Sequence, residues 1–164
     1  MITVLHLPEH TAYAREIGGD NALYLTRWTP WYLQRVSLLL VFWHGSSSGY
    51  AWTDGYQQPI ATASDVAALR FAGRPVVFLG SCGSAESQMV AALWAAGAGW
   101  IVAGPGENYL PNPLARLFRS GIEHGLPTRL AWWYARARVR AMPGAAAVDT
   151  RAYQLLRRRE HAAA

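Results

Sequence analysis

Two apolar runs constrain this chain more than any other feature: "LLLVFW" at Leu38–Trp43 and "VVFL" at Val76–Leu79, neither broken by a polar residue. A strand with one wet face alternates apolar and polar side chains. An unbroken run is what a strand buried on both faces requires, as in a parallel sheet sandwiched between helices. The expected fold is therefore α/β, a three-layer sandwich with an open, mostly parallel sheet and helices on both faces. The chain of 164 residues is long enough to bury such a core within one domain.

The remaining segments fit that frame. "ITVLHL" reads as a first strand closed by Pro8, "HTAYAREIG" as a short helix ending at Gly18 and Gly19, and "NALYLTRW" as a second strand. Thr29 is placed to cap a helix beginning at Pro30. The stretch 45–59, rich in Gly, Ser and Asp, predicts no regular element. A helix over 62–73 is capped by Thr62 or Ser64 and stopped by Gly73. Further helices are expected over 84–99 (with Val90, Leu93 and Trp94 on one stripe), 112–125 and 127–142, with a strand at "WIVAG" and a basic, helical tail over 142–164. Strands alternating with helices give parallel pairing, and ligands of such sheets sit at the carboxyl ends of the strands.

Composition removes several functional classes. A hydrophobic fraction of 52% with 15% charged residues is the opposite of a disordered chain. No apolar stretch reaches the roughly 18 residues of a membrane span, and "MITVLHLPEH" lacks the basic and apolar regions of a signal peptide, so a cytoplasmic protein without a membrane partner is expected. The formal charge is +5, and eight of the fifteen basic residues fall from Arg129 onward. In linear order aromatic residues do not alternate with those arginines, so they read as a solvated helical face and nucleic-acid binding is not expected. The five histidines are scattered, one cysteine allows no internal disulfide, and "GPGENYLPNP" is not a full dinucleotide fingerprint. Neither metal nor cofactor is expected.

The chemistry is expected where the two apolar runs end. The first runs into His44 and Gly45; the second runs into "GSCGS", which holds the sole cysteine, Cys82. If the strands are neighbours, their ends lie about 5 Å apart and the two side chains come within reach of each other. A nearby imidazole and the N-terminus of the following helix favour a thiolate, and the imidazole then protonates the leaving group. The backbone amides of Gly45 and Cys82, with Gly83 beside them, are candidates for an oxyanion hole.

The pattern of a hydrophobic strand ending in His-Gly, then a second ending in a short turn with cysteine, resembles the caspase-like (clan CD) cysteine peptidases. These include caspases, metacaspases, separases, gingipains and bacterial CHAT domains, and the CHAT layout is the most similar over roughly residues 36 to 140. The resemblance implies a His44–Cys82 dyad that hydrolyses peptide bonds through a thioester, a peptide or protein substrate, and an activating or regulatory protein partner. Gly80 stands where metacaspases carry a substrate-binding aspartate, so their basic specificity does not transfer by that route. Asp54 and Glu107, in loops beside the two turns, are candidates to bind a basic substrate side chain.

Two other readings stay open. "VFWHGSSSG" and "GSCGS" also resemble the oxyanion loop and nucleophile elbow of α/β-hydrolases, with His124 or His161 as the base and Asp149 as the acid. A caspase-like domain without turnover, presenting tryptophans such as Trp52, Trp132 and Trp133, would serve as an interaction module.

Overall fold

The computed structural model describes residues 1–46, 49–54, 56–82, 84, 87–104, 113–143 and 153–158. The two apolar runs lie side by side. Strand β3 (Leu38–Phe42) pairs in parallel with β7 (Val76–Leu79), with Leu38 opposite Val76 and Val41 opposite Leu79. With β1 (Ile2–His6), β2 (Ala22–Leu25), β8 (Trp100–Ala103) and β9 (Gln154–Arg157) they form one six-stranded sheet in the order β2-β1-β3-β7-β8-β9. Every pairing in it is parallel except β8 with β9.

All five residues of β3 and all four of β7 are buried because each strand faces helices on both sides. Leu39, Val41, Val77 and Leu79 share one core with Leu33 of α2 (Pro30–Leu33), Val66 of α3 (Ala63–Ala67) and Leu93 of α4 (Gln88–Ala96). The alternate residues Leu38, Leu40, Val76 and Phe78 meet Ile17 of α1 (Thr11–Gly18), Phe118 of α5 (Pro113–Glu123) and Trp132 of α6 (Thr128–Arg140). The molecule is thus a three-layer α/β sandwich. Each large apolar side chain withdrawn in this way contributes about 1.5–3 kcal/mol.

The strand order reverses at β1: the chain steps outward to β2, then returns to place β3 on the other side of β1. The loops leaving β1 and β3 therefore diverge and open a crevice at the carboxyl edge of the sheet.

Several sequence expectations need correction. The segment 45–59 is not irregular: β4 (His44–Gly45), β5 (Ala51–Thr53) and β6 (Pro59–Thr62) form a small antiparallel sheet on the carboxyl edge. Its strands are too short to show a period. Helix α3 ends at Ala67, short of Gly73, because the Phe71 and Ala72 amides donate to the carbonyls of Ala96 and Gln34 instead of continuing the helix. Thr62 rather than Ser64 caps it. Thr29 does not cap α2; its hydroxyl donates back to the Arg27 carbonyl. Residues 154–157 are a strand, not part of a helical tail. Leu155 and Leu156 point to opposite cores, as neighbouring strand residues must, and the pairing covers the outer edge of β8.

Candidate active site

His44 and Cys82 both follow the carboxyl ends of adjacent parallel strands, and the main chain brings them together. Gly80 donates its amide to the Val41 carbonyl at 2.8 Å, which extends the β3–β7 ladder to the last residue before the cysteine turn. Beyond it, Gly45 packs directly on the Cys82 backbone. A Cβ at Gly45 would overlap the Cys82 carbonyl oxygen, so only glycine permits this approach. Both His44 and Cys82 are half-buried.

The small sheet fixes the His44 side. His44 pairs with Thr53 and Gly45 with Trp52, while the Ser46 amide donates to the Ala51 carbonyl at 3.0 Å. In an antiparallel ladder hydrogen-bonded and non-hydrogen-bonded pairs alternate. Because Ser46–Ala51 is bonded, Gly45–Trp52 is a non-bonded pair, and the Gly45 N–H is directed away from β5. Beneath this sheet, Trp52 lies between Trp43 and Trp28, with ring centroids 5.9 and 6.1 Å away.

Serines tie down the cysteine side. Buried Ser84 accepts from the Gly104 amide at 2.9 Å, joining the turn to the end of β8. Ser87 donates its hydroxyl to the Ser84 carbonyl, and the Gln88 amide donates to the Gly49 carbonyl at 3.0 Å. The loop after His44 is thereby fastened to the start of α4. That helix begins at Gln88, later than the sequence suggested; Ser84 and Ser87, which the expected helix would have included, are engaged in these contacts instead.

One neighbour was not anticipated. His10, just past β1, sets its ring edge-to-face on His44 at 6.1 Å, with its Nδ1 buried and without a hydrogen-bond partner. Its signal in the sequence was present but unused: like His44, it closely follows a strand's carboxyl end. Its chain neighbour Glu9 lines a cavity of about 670 Å³ at the carboxyl ends of β1 and β2, walled by Leu7, Trp28 and Ile60 and carrying Arg27 and Asp54 as well. Asp54 lines this cavity, but its Oδ1 also accepts the Tyr56 and Gln58 amides, both at 2.8 Å. Its carboxylate therefore shapes the loop as well as charging the wall.

Gly83, Glu107, Asp149 and His161 lie outside the described residues. His124 is placed, and it is far from the cysteine turn. Helix α5 follows the carboxyl end of β8 and runs back about 16 Å, at about 1.5 Å per residue, so His124 sits toward the amino edge of the sheet. There its Nδ1 meets the Ser120 carbonyl at 2.7 Å. Among the described residues no three His, Cys, Asp or Glu side chains gather as a metal site would require, and no helix is long and apolar enough to cross a membrane.

Compared with protein-family models and with curated proteins, the chain matches none.

Proposed function

We propose that this protein is a cysteine endopeptidase of caspase-like organisation that works through the His44–Cys82 pair. The observation that carries the reading is the packing of Gly45 on the Cys82 backbone, which sets a histidine and a thiol at the ends of neighbouring strands. In the reaction the Cys82 thiolate attacks the peptide carbonyl, and the Gly45 N–H stabilises the oxyanion. The C–N bond breaks as His44 protonates the departing amine. Water, deprotonated by His44, then hydrolyses the thioester and restores the thiol. The cavity lined by Glu9 and Asp54 receives the substrate side chain before the scissile bond. Its two carboxylates against one guanidinium favour a basic residue there.

A thiol-directed acyloxymethylketone probe, read by intact mass, tests the dyad. One adduct on Cys82 is expected, with labelling slowed about a hundredfold or more in His44→Ala. Equal rates in both proteins would show an ordinary surface thiol and end the peptidase reading. Peptide-library profiling then tests the cavity. Asp54→Asn keeps an oxygen for the two loop amides but removes the charge, so it is expected to lose preference for a basic residue while still turning over neutral ones.

A further inference from the structure

The arginines discounted above as a solvated face have a different setting in three dimensions. On α6, Arg129, Trp133, Arg136 and Arg140 recur at intervals of four, three and four, which is one stripe of a helix. The edge pair of the sheet adds Trp100 from β8 and Arg157 from β9, which face each other in register. All of these but Arg140 border a groove of about 390 Å³, which contains Arg129, Arg136 and Arg157 alongside Trp100, Trp132 and Trp133. The alternation of cation and ring that is absent along the chain is supplied by helical spacing and by a second element.

The geometry is that of a platform. The Arg136 guanidinium lies 5.6 Å from the Trp132 ring centre and 5.7 Å from that of Trp133; Arg157 lies 5.5 Å from the Trp100 ring. Stacking on a ring holds a guanidinium flat, with its N–H edge presented to a partner. Among the described residues no carboxylate lines the groove, and Arg136 Nε is buried without a hydrogen-bond partner. Burial, and then the Arg140 charge, lower the pKa of the Arg136 guanidinium below its usual range, as expected where one guanidinium is set close to another. Trp132 is buried, whereas Trp133 remains 58% exposed despite Arg136 above it.

We infer that this groove binds single-stranded nucleic acid, with the arginines on phosphates and Trp133 stacked under a base. An acidic peptide would satisfy the guanidiniums but leave the exposed indole unused. A duplex would do the same, because its bases are already stacked. A single strand offers phosphates and free base faces together. The inference does not depend on the dyad, which lies at the carboxyl edge of other strands.

The test is fluorescence anisotropy of a labelled oligothymidylate titrated with the full chain. Saturable binding is expected, with log affinity falling against log salt at a slope of about −2, from three phosphate contacts at about 0.7 each. The combined Arg129→Gln, Arg136→Gln variant and, separately, Trp133→Ala should each bind about tenfold more weakly or worse. Cys82→Ala should bind as the unmodified chain does. Thermal unfolding of each variant separates lost binding from lost fold, and Trp133, being exposed, can be removed without opening the core. Absence of binding, or affinity unchanged in the folded variants, would overturn the inference. So would equal binding of a duplex, or displacement by polyglutamate or thymidine monophosphate at the same charge concentration as the oligomer. Those results would indicate a general anion surface, an acidic-peptide site or a mononucleotide site respectively.

Discussion

Gly45 is the residue on which the proposed chemistry turns, because its missing side chain lets the His44 strand touch the Cys82 turn. Gly45→Ala would force a methyl group into a backbone carbonyl, which cannot swing aside as the tip of a side chain can. We expect a loss of about 1–3 kcal/mol in urea unfolding with an unchanged m-value, together with slower probe labelling of Cys82. Gly73→Ala is the matched control. Nothing lies within 4 Å of a Cβ there, and its φ is not positive, so the change should be neutral or stabilising. His10 shows the limit of reading residues singly. In sequence it is one of five scattered histidines, and only the adjacency of β1 and β3 sets it against His44.

Elements were legible in proportion to their burial and length. β3 and β7 announced themselves because both are wholly apolar and covered on both faces, whereas β1, also inside the sheet, is interrupted by buried Thr3 and His6; the pairing of β3 with β7 then placed both candidate site residues on one edge. The β4–β5–β6 sheet has strands of two to four residues, and a period cannot be read from so few. The α6 groove is not legible in linear order for another reason: two of its six arginines and tryptophans, Trp100 and Arg157, come from β8 and β9. Helix α3 shows how far local chemistry reads: the sequence offered Thr62 or Ser64 as its cap, and the structure selects Thr62. Its capping box was written in "TASD": the Asp65 amide donates to Thr62 Oγ1, while the Asp65 carboxylate accepts the Thr62 amide and hydroxyl. The Thr62 side chain, and then its amide, hold the Asp65 carboxyl below its ordinary pKa. A depressed folded-state value means that the contribution is complete above the unfolded pKa of about 3.9 and is lost as pH falls through the folded value. Thr62→Ala should cost about 1 kcal/mol at neutral pH and less in acid, where the unfolding curves of the two proteins should draw closer without meeting, because the bond from the Asp65 amide to Thr62 Oγ1 does not titrate.

At the scale of the whole molecule, the order β2-β1-β3-β7-β8-β9 places β1 inside the sheet and gives one outer position to β9, the last of the described strands in sequence. Every parallel pair can form once residue 103 has been made; the antiparallel pair cannot. On the ribosome, then, β8 passes through an interval in which one row of its amides and carbonyls is bare. The row lies beside Ile101 and Val102, which are fully buried in the finished fold. An open, apolar strand edge invites pairing with another chain. A protein cut after Pro143 makes that interval permanent, and sedimentation should find it associating with rising concentration while the intact chain does not. Cells that make this protein quickly would accumulate nascent chains with that edge open, and yield should then fall with translation rate more steeply than the stability of the finished fold would suggest.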